Sequence, residues 1–462
     1  MSVLNTVRGR LCLSLIVLLV AGAGCSPAEP PSGSPTAARP PSGLPTAPVF
    51  SVVAGSTQKI CQLTGEYDYQ EAAEAGVAPE EKPTLNRTYT NYGFHGTDLG
   101  ISFEHNGKLW FLFGDTFATE TIPFDPEDGQ SHSNPNPLAA DATAYTTDTD
   151  PTDCISLKFL TNPDHPNVWR NPSFDPGGAV VQEEGLSVGA SMYVWFSSGG
   201  EGAATLTLAR SDNDGESYTI LHDVSTNRFV GISVDLVPNL VIPGLEDVGE
   251  TDWLFIFGTG PKYRESDMFL AVVPLASIED SQAMVYFTGL DENGLPRWSE
   301  SEDEAQPVID VDNPLATGDW FAGIPLKEKA NAEGCIGEFS VHYSEVAETW
   351  IAMYNCDFLS IEMHTADFPW GPWSQAVTVF DPVKDGGYCG FLHLSADFDQ
   401  ILDLNCEYNV TVPGRSNPGS PYGPYIMERY TTGDRNQATL YFVMSMWHPY
   451  NVLVMTTQIQ RQ

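Results

Sequence analysis

GTDLGISFEHNGKLWFLFGDTF, residues 96–117, contains two runs rich in apolar and aromatic side chains on either side of an Asn-Gly pair. Asn-Gly between two such runs is the strongest short-range signal for a β-hairpin with a two-residue turn. With Asn106 and Gly107 in that turn, His105 pairs with Lys108 across the hairpin. The stretch therefore predicts two antiparallel strands in which every position has a definite partner.

Two aspartates fall opposite each other when the pairing is counted outward from this turn. Asp98 faces Asp115 in a non-hydrogen-bonded pair, with the Cβ atoms roughly 5 Å apart. Facing like charges destabilise a sheet, and two coupled carboxyl groups retain one proton to higher pH. Such a pair favours the acid–base chemistry that hydrolyses glycosides. The alternative is a bulge that breaks the register, or a structural role for both aspartates as loop caps or calcium ligands.

Four further clusters of β-branched and aromatic runs follow the hairpin, separated by segments rich in Gly, Pro, Asn and Asp. Together the five clusters cover residues 96–117, 190–220, 253–274, 337–380 and 425–459. The sequence has no long amphipathic helical period, so the pattern predicts an all-β fold. Five clusters of about four strands each predict a five-bladed β-propeller, with a two-sheet sandwich as the competing architecture.

Residues 211–218, SDNDGESY, resemble the Asp-box turn of propeller glycosidases, with Asn213 where an aspartate is usual. Asp-boxes are structural turns on the outside of blades, so this motif supports the fold and says nothing about catalysis. The same stretch, like residues 148–150, has some features of a calcium loop but lacks the full set of ligands. We assign no metal site and predict no cofactor, and a structural calcium ion is left open.

The hairpin resembles the opening blade of a bacterial propeller family that was first catalogued as a domain of unknown function and is now counted as glycoside hydrolase family 183. The resemblance is dense over residues 91–117 and looser over later segments such as 208–211 and 423–425. Characterised members are endo-D-arabinanases that cut the arabinan of mycobacterial cell walls. The resemblance implies a five-bladed propeller in which Asp98 and Asp115 are the catalytic pair.

A third carboxylate, Glu338, opens the fourth cluster within the segment GEFSVHY, residues 337–343. In other five-bladed glycosidases a carboxylate from a later blade acts as the acid, while one member of a close pair only tunes the pKa. Glu338 has a suitable position for that role. The alternative is an exposed strand carboxylate without a function.

Four more side chains are candidates for contacts with a sugar. His95 precedes the hairpin, where it is positioned to bond a sugar hydroxyl or to orient Asp98, unless it is a loop histidine without a function. Trp320, Tyr422 and Trp447 stand near Gly or Pro in loop-like segments, where aromatic faces stack on sugar rings. Most aromatic residues of a propeller belong to its core, which is the alternative for each of the three.

The N-terminus has the features of an export signal. Arg8 and Arg10 precede an apolar run over residues 11–21, which is too short to span a bilayer as a mature helix. The following residues, Gly-Ala-Gly-Cys at 22–25, are similar to a bacterial lipobox, although a Leu or Val is usual at the first position. This predicts acylation of Cys25, with ordinary signal-peptidase cleavage as the alternative.

A Pro-, Ser- and Gly-rich segment follows, which cannot bury a core and predicts an extended tether. The predicted organisation is therefore a signal peptide at 1–25, a tether at 26–48 and one propeller domain at 49–462. It places the protein outside the cytoplasm, as a lipoprotein of the bacterial cell surface or outer membrane, or else as a secreted protein.

Six cysteines remain when Cys12 in the signal and Cys25 are set aside, and an even number in an exported protein predicts disulfides. Each of two pairs brackets one predicted hairpin, and the third pair follows by elimination. The predicted disulfides are Cys335–Cys356, Cys389–Cys406 and Cys61–Cys154.

Acidic residues dominate the charge: 61 Asp and Glu stand against 21 Lys and Arg, for a formal net charge of −40. Such a surface repels polyanions, which disfavours nucleic acid and anionic polysaccharides as ligands. The alternative is that the acidity reflects only solubility in a salty habitat. We therefore predict a monomer that contacts the membrane only through an N-terminal lipid and hydrolyses a neutral furanoside polysaccharide, with endo-D-arabinan as the leading substrate. The alternative is a non-catalytic, glycan-binding surface lipoprotein with the same propeller.

Overall fold

The computed structural model describes residues 47–118, 121–122, 132–133, 139–172, 180–200, 202–262, 264–312, 320–321, 324–325, 334–357, 359–394, 404–406 and 418–462. The predicted signal peptide, Cys25 and most of the tether lie outside these residues. No helix in the described ranges is both long and apolar enough to cross a bilayer.

Five antiparallel sheets of four or more strands follow one another along the described chain. Blade 1 contains β3 (Phe94–Gly96), β4 (Leu99–His105), β5 (Lys108–Ala118), β8 (Ala139–Thr146) and β9 (Lys158–Phe159). Blade 2 contains β12 (Val180–Val188), β13 (Ser191–Ser198), β14 (Thr205–Ser211) and β15 (Thr219–Ser225). Blade 3 contains β16 (Gly231–Leu240), β17 (Thr251–Thr259), β18 (Met268–Pro274), β19 (Val285–Leu290), β20 (Pro296–Ser299) and β21 (Pro307–Ile309).

Blade 4 contains β24 (Ile336–Ser344), β25 (Thr349–Cys356), β26 (Ser360–Ala366) and β27 (Val377–Phe380). Blade 5 contains β1 (Phe50–Val52), β2 (Gln58–Gln62), β28 (Pro421–Ile426), β29 (Thr432–Gly433), β30 (Gln437–Met446) and β31 (Asn451–Arg461). The smaller elements are β6 (Thr121–Ile122), β7 (His132–Ser133), β10 (Thr161–Asn162), β11 (His165–Trp169), β22 (Trp320–Phe321), β23 (Ile324–Pro325), α1 (Tyr69–Ala75) and α2 (Thr88–Tyr92).

One inner strand from each of the five sheets contributes to a closed ring. β4 packs against β12, β12 against β16, β16 against β24, β24 against β28, and β28 returns to β4. Because each sheet extends outward from this ring, the architecture is a five-bladed β-propeller. The predicted fold class is confirmed, and the two-sheet sandwich is excluded.

Strands from the N-terminal and C-terminal parts of the domain share blade 5 and close the ring. β1 and β2 add to the outer side of β31, with Phe50 opposite Arg461. The N-terminal strands therefore complete the blade that the C-terminal strands begin, so the first and last parts of the domain fold as one sheet.

Side chains from neighbouring blades satisfy backbone groups at the inner edges, which a sheet would otherwise leave unpaired. On β16, Ser233 accepts a hydrogen bond from the backbone N–H of Val341 at 3.0 Å, and Asp235 accepts one from Tyr343 at 2.8 Å. Both strands advance by two residues between these contacts, so β16 and β24 run in the same direction. The polar side chains of inner strands therefore hold the blades together.

The described residues contain three disulfides, and all three predicted pairings are confirmed. Cys61–Cys154 joins β2 of blade 5 to the segment that leads into β9 of blade 1. Cys335–Cys356 lies within blade 4, and Cys389–Cys406 closes a loop after β27. The first of them ties together the two blades at which the ring closes.

The predicted hairpin forms as β4 and β5, but its register changes near the open end. His105 pairs with Lys108 as predicted, and Asn106 and Gly107 both have positive φ, at 50° and 74°, as a type I′ turn requires. A one-residue bulge then falls between Leu99 and Ile101.

The bulge overturns the predicted pairing of Asp98 with Asp115. Leu99 and Gly100 adopt φ of 62° and 97°, which adds one residue to β4. The backbone carbonyl of Asp98 accordingly accepts a hydrogen bond from the N–H of Gly114, and Asp98 stands opposite Gly114. The two aspartates are neighbours on the hairpin but are not directly opposed.

Candidate functional site

Bulges occur near the N-terminal ends of four of the five inner strands: β4, β12, β24 and β28. Each bulge lies next to a polar side chain, and these side chains are Asp98, Glu183, Glu338 and Tyr422. The charges of Asp115 and Glu338 both raise the pKa of Asp98, and that of Glu338 raises the pKa of Glu183, so these groups form one cluster. A bulge re-aims the side chains around it, which explains how strands from different blades direct polar groups to one place.

Asp98 is the most constrained member of the cluster. It is 8% exposed, and its Oδ2 accepts hydrogen bonds from the hydroxyls of Tyr422 at 2.9 Å and Tyr450 at 2.5 Å. Its Oδ1 is buried and has no hydrogen-bond partner among the described residues. Burial raises the pKa of Asp98 from 3.8 to about 7, the Asp115 and Glu338 charges add to the rise, and the two tyrosine hydroxyls oppose it.

Gly114 makes room for this carboxyl group. It stands opposite Asp98, and a Cβ at this position would lie 2.6 Å from Asp98 Oδ1 and 2.8 Å from Leu99 Cδ1. Real Cβ atoms do not approach other atoms so closely, so any larger residue here would displace the Asp98 side chain. The glycine of the Gly-Asp-Thr segment is therefore part of the site.

Asp115 follows Gly114 on β5 and has a different environment. Its side chain is exposed, whereas that of Asp98 is enclosed. The surrounding protein still removes enough water to raise the pKa of Asp115 above its ordinary value. The hairpin thus presents one buried carboxyl group that holds a proton near neutral pH and one open carboxyl group beside it.

Asp141 on β8 is another carboxyl group that blade 1 brings to the cluster, and sequence reasoning missed it. It is 3% exposed; its Oδ2 accepts a hydrogen bond from the N–H of Gln182 at 3.1 Å, and its Oδ1 has no hydrogen-bond partner among the described residues. Burial, followed by the charges of Asp115 and Asp98, raises its pKa well above the ordinary value. No motif in the sequence marks it, because only the pairing of β8 with β5 brings it to the cluster.

Glu338, predicted as a candidate acid, is fully engaged by donors. Its Oε1 is 2.5 Å from Arg264 Nη2 and its Oε2 accepts a hydrogen bond from the Asn355 side-chain amide at 3.0 Å. The guanidinium group of Arg264 also lies over the ring of Tyr422, at 5.4 Å from its centroid. These contacts hold the Glu338 side chain in place, and it in turn positions Arg264 and, through it, Tyr422.

The four predicted sugar contacts are placed differently from one another. His95 is exposed and stacks on Tyr89 at 4.7 Å, while the side chains that donate to Asp98 among the described residues are two tyrosines. The backbone of Trp320 lies in β22, but its side chain lies outside the described part of the structure. Trp447 is 42% exposed beside the cluster. Tyr422 is only 1% exposed, which leaves no ring face for a sugar and corrects the predicted stacking role.

Comparison with known proteins gives a family but no activity. A family model described as a domain of unknown function, DUF4185, matches residues 84–456. The chain belongs to this family. No curated protein matches the DUF4185 chain.

Solved structures that are similar to this DUF4185 chain include a putative hydrolase and a glycosyl hydrolase, both from Bacteroides ovatus. They are 11% and 12% identical to it, with TM-scores of 0.45 and 0.39. The match to the first covers 80% of this chain and 87% of that one, and the match to the second covers 90% and 95%. A native arabinanase of Bacillus subtilis is 10% identical over 79% of this chain and 96% of its own, with a TM-score of 0.35. These values carry no inference about the reaction, and the assignment of the fold rests on the ring of inner strands.

Proposed function

We propose that this DUF4185 protein is a glycoside hydrolase that cleaves a neutral furanoside polysaccharide, with endo-D-arabinan as the leading substrate. One observation carries the proposal. A buried Asp98 with a pKa of about 7 lies beside an exposed Asp115 on the same hairpin. Glycosidases use two carboxyl groups whose environments separate their pKa values, one as proton donor and one as charged partner.

The surroundings of Asp98 and Asp115 indicate which of them is the proton donor and which is the charged partner. Asp98 holds the proton and donates it to the glycosidic oxygen as the bond from that oxygen to the anomeric carbon breaks. Asp115, which is open to solvent, supplies the negative charge. It either attacks the anomeric carbon or removes a proton from the water that does so. Glu338, with donors at both oxygens, acts through Arg264 and Tyr422 as a positioning residue.

The substrate class is supported by charge and by the family resemblance. A formal net charge of −40 disfavours anionic polymers at the surface. The hairpin at residues 91–117, which resembles that of the endo-D-arabinanases, carries both proposed catalytic residues. Three disulfides fit work outside the cytoplasm, and we extend the proposal to export with a lipid on Cys25.

Incubation of the purified domain with mycobacterial arabinogalactan and plant arabinans, with products separated by size, tests the proposal. We expect short oligosaccharides from at least one neutral furanoside polymer. Asp98→Asn and Asp115→Asn should each lower release by about 100-fold or more. Asp247→Asn, an exposed aspartate of blade 3, is the matched control and should release products as the wild type does. Absence of release from every polymer contradicts the proposal.

A second candidate function is glycan binding without catalysis, which the exposed ring of Trp447 beside the cluster favours. The same two variants separate the candidates. Loss of product release with retained binding supports the hydrolase, whereas unchanged behaviour of both variants in both assays supports the binding protein.

A further inference from the structure

Two large aromatic side chains are exposed on the face that carries the carboxyl groups. Phe117 and Trp447 are each 42% exposed, while the other large hydrophobic residues with comparable exposure in the described chain are aliphatic. Phe117 lies two residues after Asp115 on β5, and both side chains are exposed while Thr116 between them is buried. Trp447 lies between β30 and β31 in blade 5. Exposed apolar side chains mark a contact surface when they are contiguous rather than scattered singly.

Tyr450 connects these two rings to the proton-holding carboxyl group. Its ring packs edge-to-face against Phe117 at 5.0 Å and against Trp447 at 5.8 Å. Its hydroxyl donates to Asp98 at 2.5 Å. The three rings are therefore contiguous, and the middle one touches Asp98 directly.

Backbone hydrogen bonds hold the segment that carries Trp447 and Tyr450. The N–H of Trp447 donates to the carbonyl of Ser420 at 2.9 Å, and the N–H of Thr97, next to Asp98, donates to the carbonyl of Tyr450 at 3.2 Å. The backbone of Trp447 and Tyr450 is thus tied to the backbone next to Asp98, and the Tyr450 ring is also held through its hydroxyl. A preorganised surface loses little conformational entropy when a ligand covers it, which favours binding.

We infer that Phe117, Tyr450 and Trp447 form an aromatic wall that binds the C–H face of a neutral sugar chain alongside Asp98 and Asp115. The C–H groups of a sugar face carry partial positive charge and meet the negative face of an aromatic ring favourably. The acidic surface adds selection for a neutral chain. This inference rests on the proposed function for the identity of the reaction, but the binding can be measured without it.

Affinity electrophoresis in gels that contain arabinogalactan or debranched arabinan provides the test, with dextran and polygalacturonate as comparison polymers. The protein carries Asp98→Asn together with Asp115→Asn so that the polymer stays intact. We expect retardation by a neutral furanoside polymer but not by polygalacturonate. Adding Phe117→Ala or Trp447→Ala should each weaken the apparent affinity about fivefold or more. Trp447→Phe should retain most of it, because a ring face remains.

Ile220→Ala is the matched control, since Ile220 is 44% exposed on the outer strand β15 and should bind as its parent does. Circular dichroism of each variant verifies that a loss of affinity is not a loss of fold. Retardation that persists unchanged in Phe117→Ala and Trp447→Ala overturns the inference. If neither furanoside polymer retards the protein, the inference is also overturned. That result would hold even if the aromatic wall bound a protein instead of a sugar chain. If the wild type releases no sugar but binding depends on the wall, the proposed hydrolysis fails and the inference stands.

Discussion

At the scale of single residues, the hydroxyl of Tyr450 controls the proton of Asp98. A hydroxyl that donates to a carboxylate stabilises the charged form, and this contact lowers the pKa of Asp98 against the larger effect of burial. Tyr422 acts on the same oxygen. These opposing effects leave the pKa of Asp98 at about 7, and a single substitution that removes one of them should shift it.

We expect the rate of hydrolysis to fall as the pH rises through about 7, because Asp98 must be protonated to donate. Tyr450→Phe removes one stabilising donor and keeps the ring, so the pKa of Asp98 should rise and the alkaline limb should move to higher pH. Profiles of kcat/KM against pH for the wild type and Tyr450→Phe measure the shift. A limb that stays in place or moves to lower pH would show that Asp98 is not the donor.

Burial of Asp98 should destabilise the fold above neutral pH. A carboxyl group whose folded pKa is raised from 3.8 to about 7 binds its proton more tightly when folded. The resulting loss in the free energy of unfolding is absent below the pKa of the unfolded state and grows as the pH rises. It is complete above the pKa of the folded state, with an upper limit of about 4 kcal/mol. We expect Asp98→Asn to raise the free energy of unfolding at pH 8 by about 1–4 kcal/mol and much less at pH 4.

Urea denaturation at the two pH values measures this difference. Asp115→Asn is the control, since that side chain is exposed and should change the stability less. An equal gain at pH 4 and pH 8 would contradict a titration effect.

Sequence reasoning located the carboxyl groups of the cluster better than it located their neighbours. Asp98 and Asp115 were predicted from a turn motif and a resemblance, and the structure sets them in one acidic cluster. Tyr450 and Asp141 were not predicted, because each comes to the cluster through pairing with a distant strand or loop. Tyr422 was predicted as a stacking ring, since a sequence does not disclose that its face is covered.

At the scale of elements, the bulge in β4 determines how the hairpin presents its carboxyl groups. The pattern of the hairpin predicted the turn, but a register counted from a turn assumes an uninterrupted ladder. Leu99, a bulky residue at φ 62°, is not expected in the left-handed region, and the surrounding contacts must hold it there. One of them is the hydrogen bond from its N–H to Ser445 Oγ at 2.8 Å.

Gly114→Ala tests whether the site needs the space that this bulge and the glycine provide. The new methyl group would meet Asp98 Oδ1 and the Leu99 side chain, so the carboxyl group must move. We expect a loss of about 1–3 kcal/mol of stability and at least about a tenfold loss of activity. Gly200→Ala is the control, because a Cβ at Gly200 meets nothing within 4 Å. Full activity of Gly114→Ala would contradict a tightly fitted Asp98.

At the scale of the whole molecule, closure of the ring depends on contacts between the two ends of the chain. Five clusters of strands were enough to predict the number of blades. The addition of β1 and β2 to β31 was not predicted, because short strands far from their partners leave no local signal. Cys61–Cys154 joins the two blades at this closure and spans 93 residues, against 17 for Cys389–Cys406.

We expect the paired substitution Cys61→Ser with Cys154→Ser to lower the free energy of unfolding by about 4–5 kcal/mol, since the loop it releases in the unfolded chain is long. The paired substitution Cys389→Ser with Cys406→Ser, with its shorter loop, should cost about 3 kcal/mol. Thermal unfolding of both variants compares the two effects. A larger loss from the shorter loop would show that closure of the ring does not depend on the Cys61–Cys154 link.

Asp98 is proposed to donate a proton to the leaving oxygen, and the dependence of the rate on the leaving group tests this role. The rate of Asp98→Asn is measured on a neutral furanoside polymer and on a dinitrophenyl furanoside, whose leaving group needs no proton. We predict that the variant loses about 100-fold or more on the polymer and retains most of the wild-type rate on the dinitrophenyl substrate. Equal losses on both substrates would contradict the assignment of Asp98 as the acid.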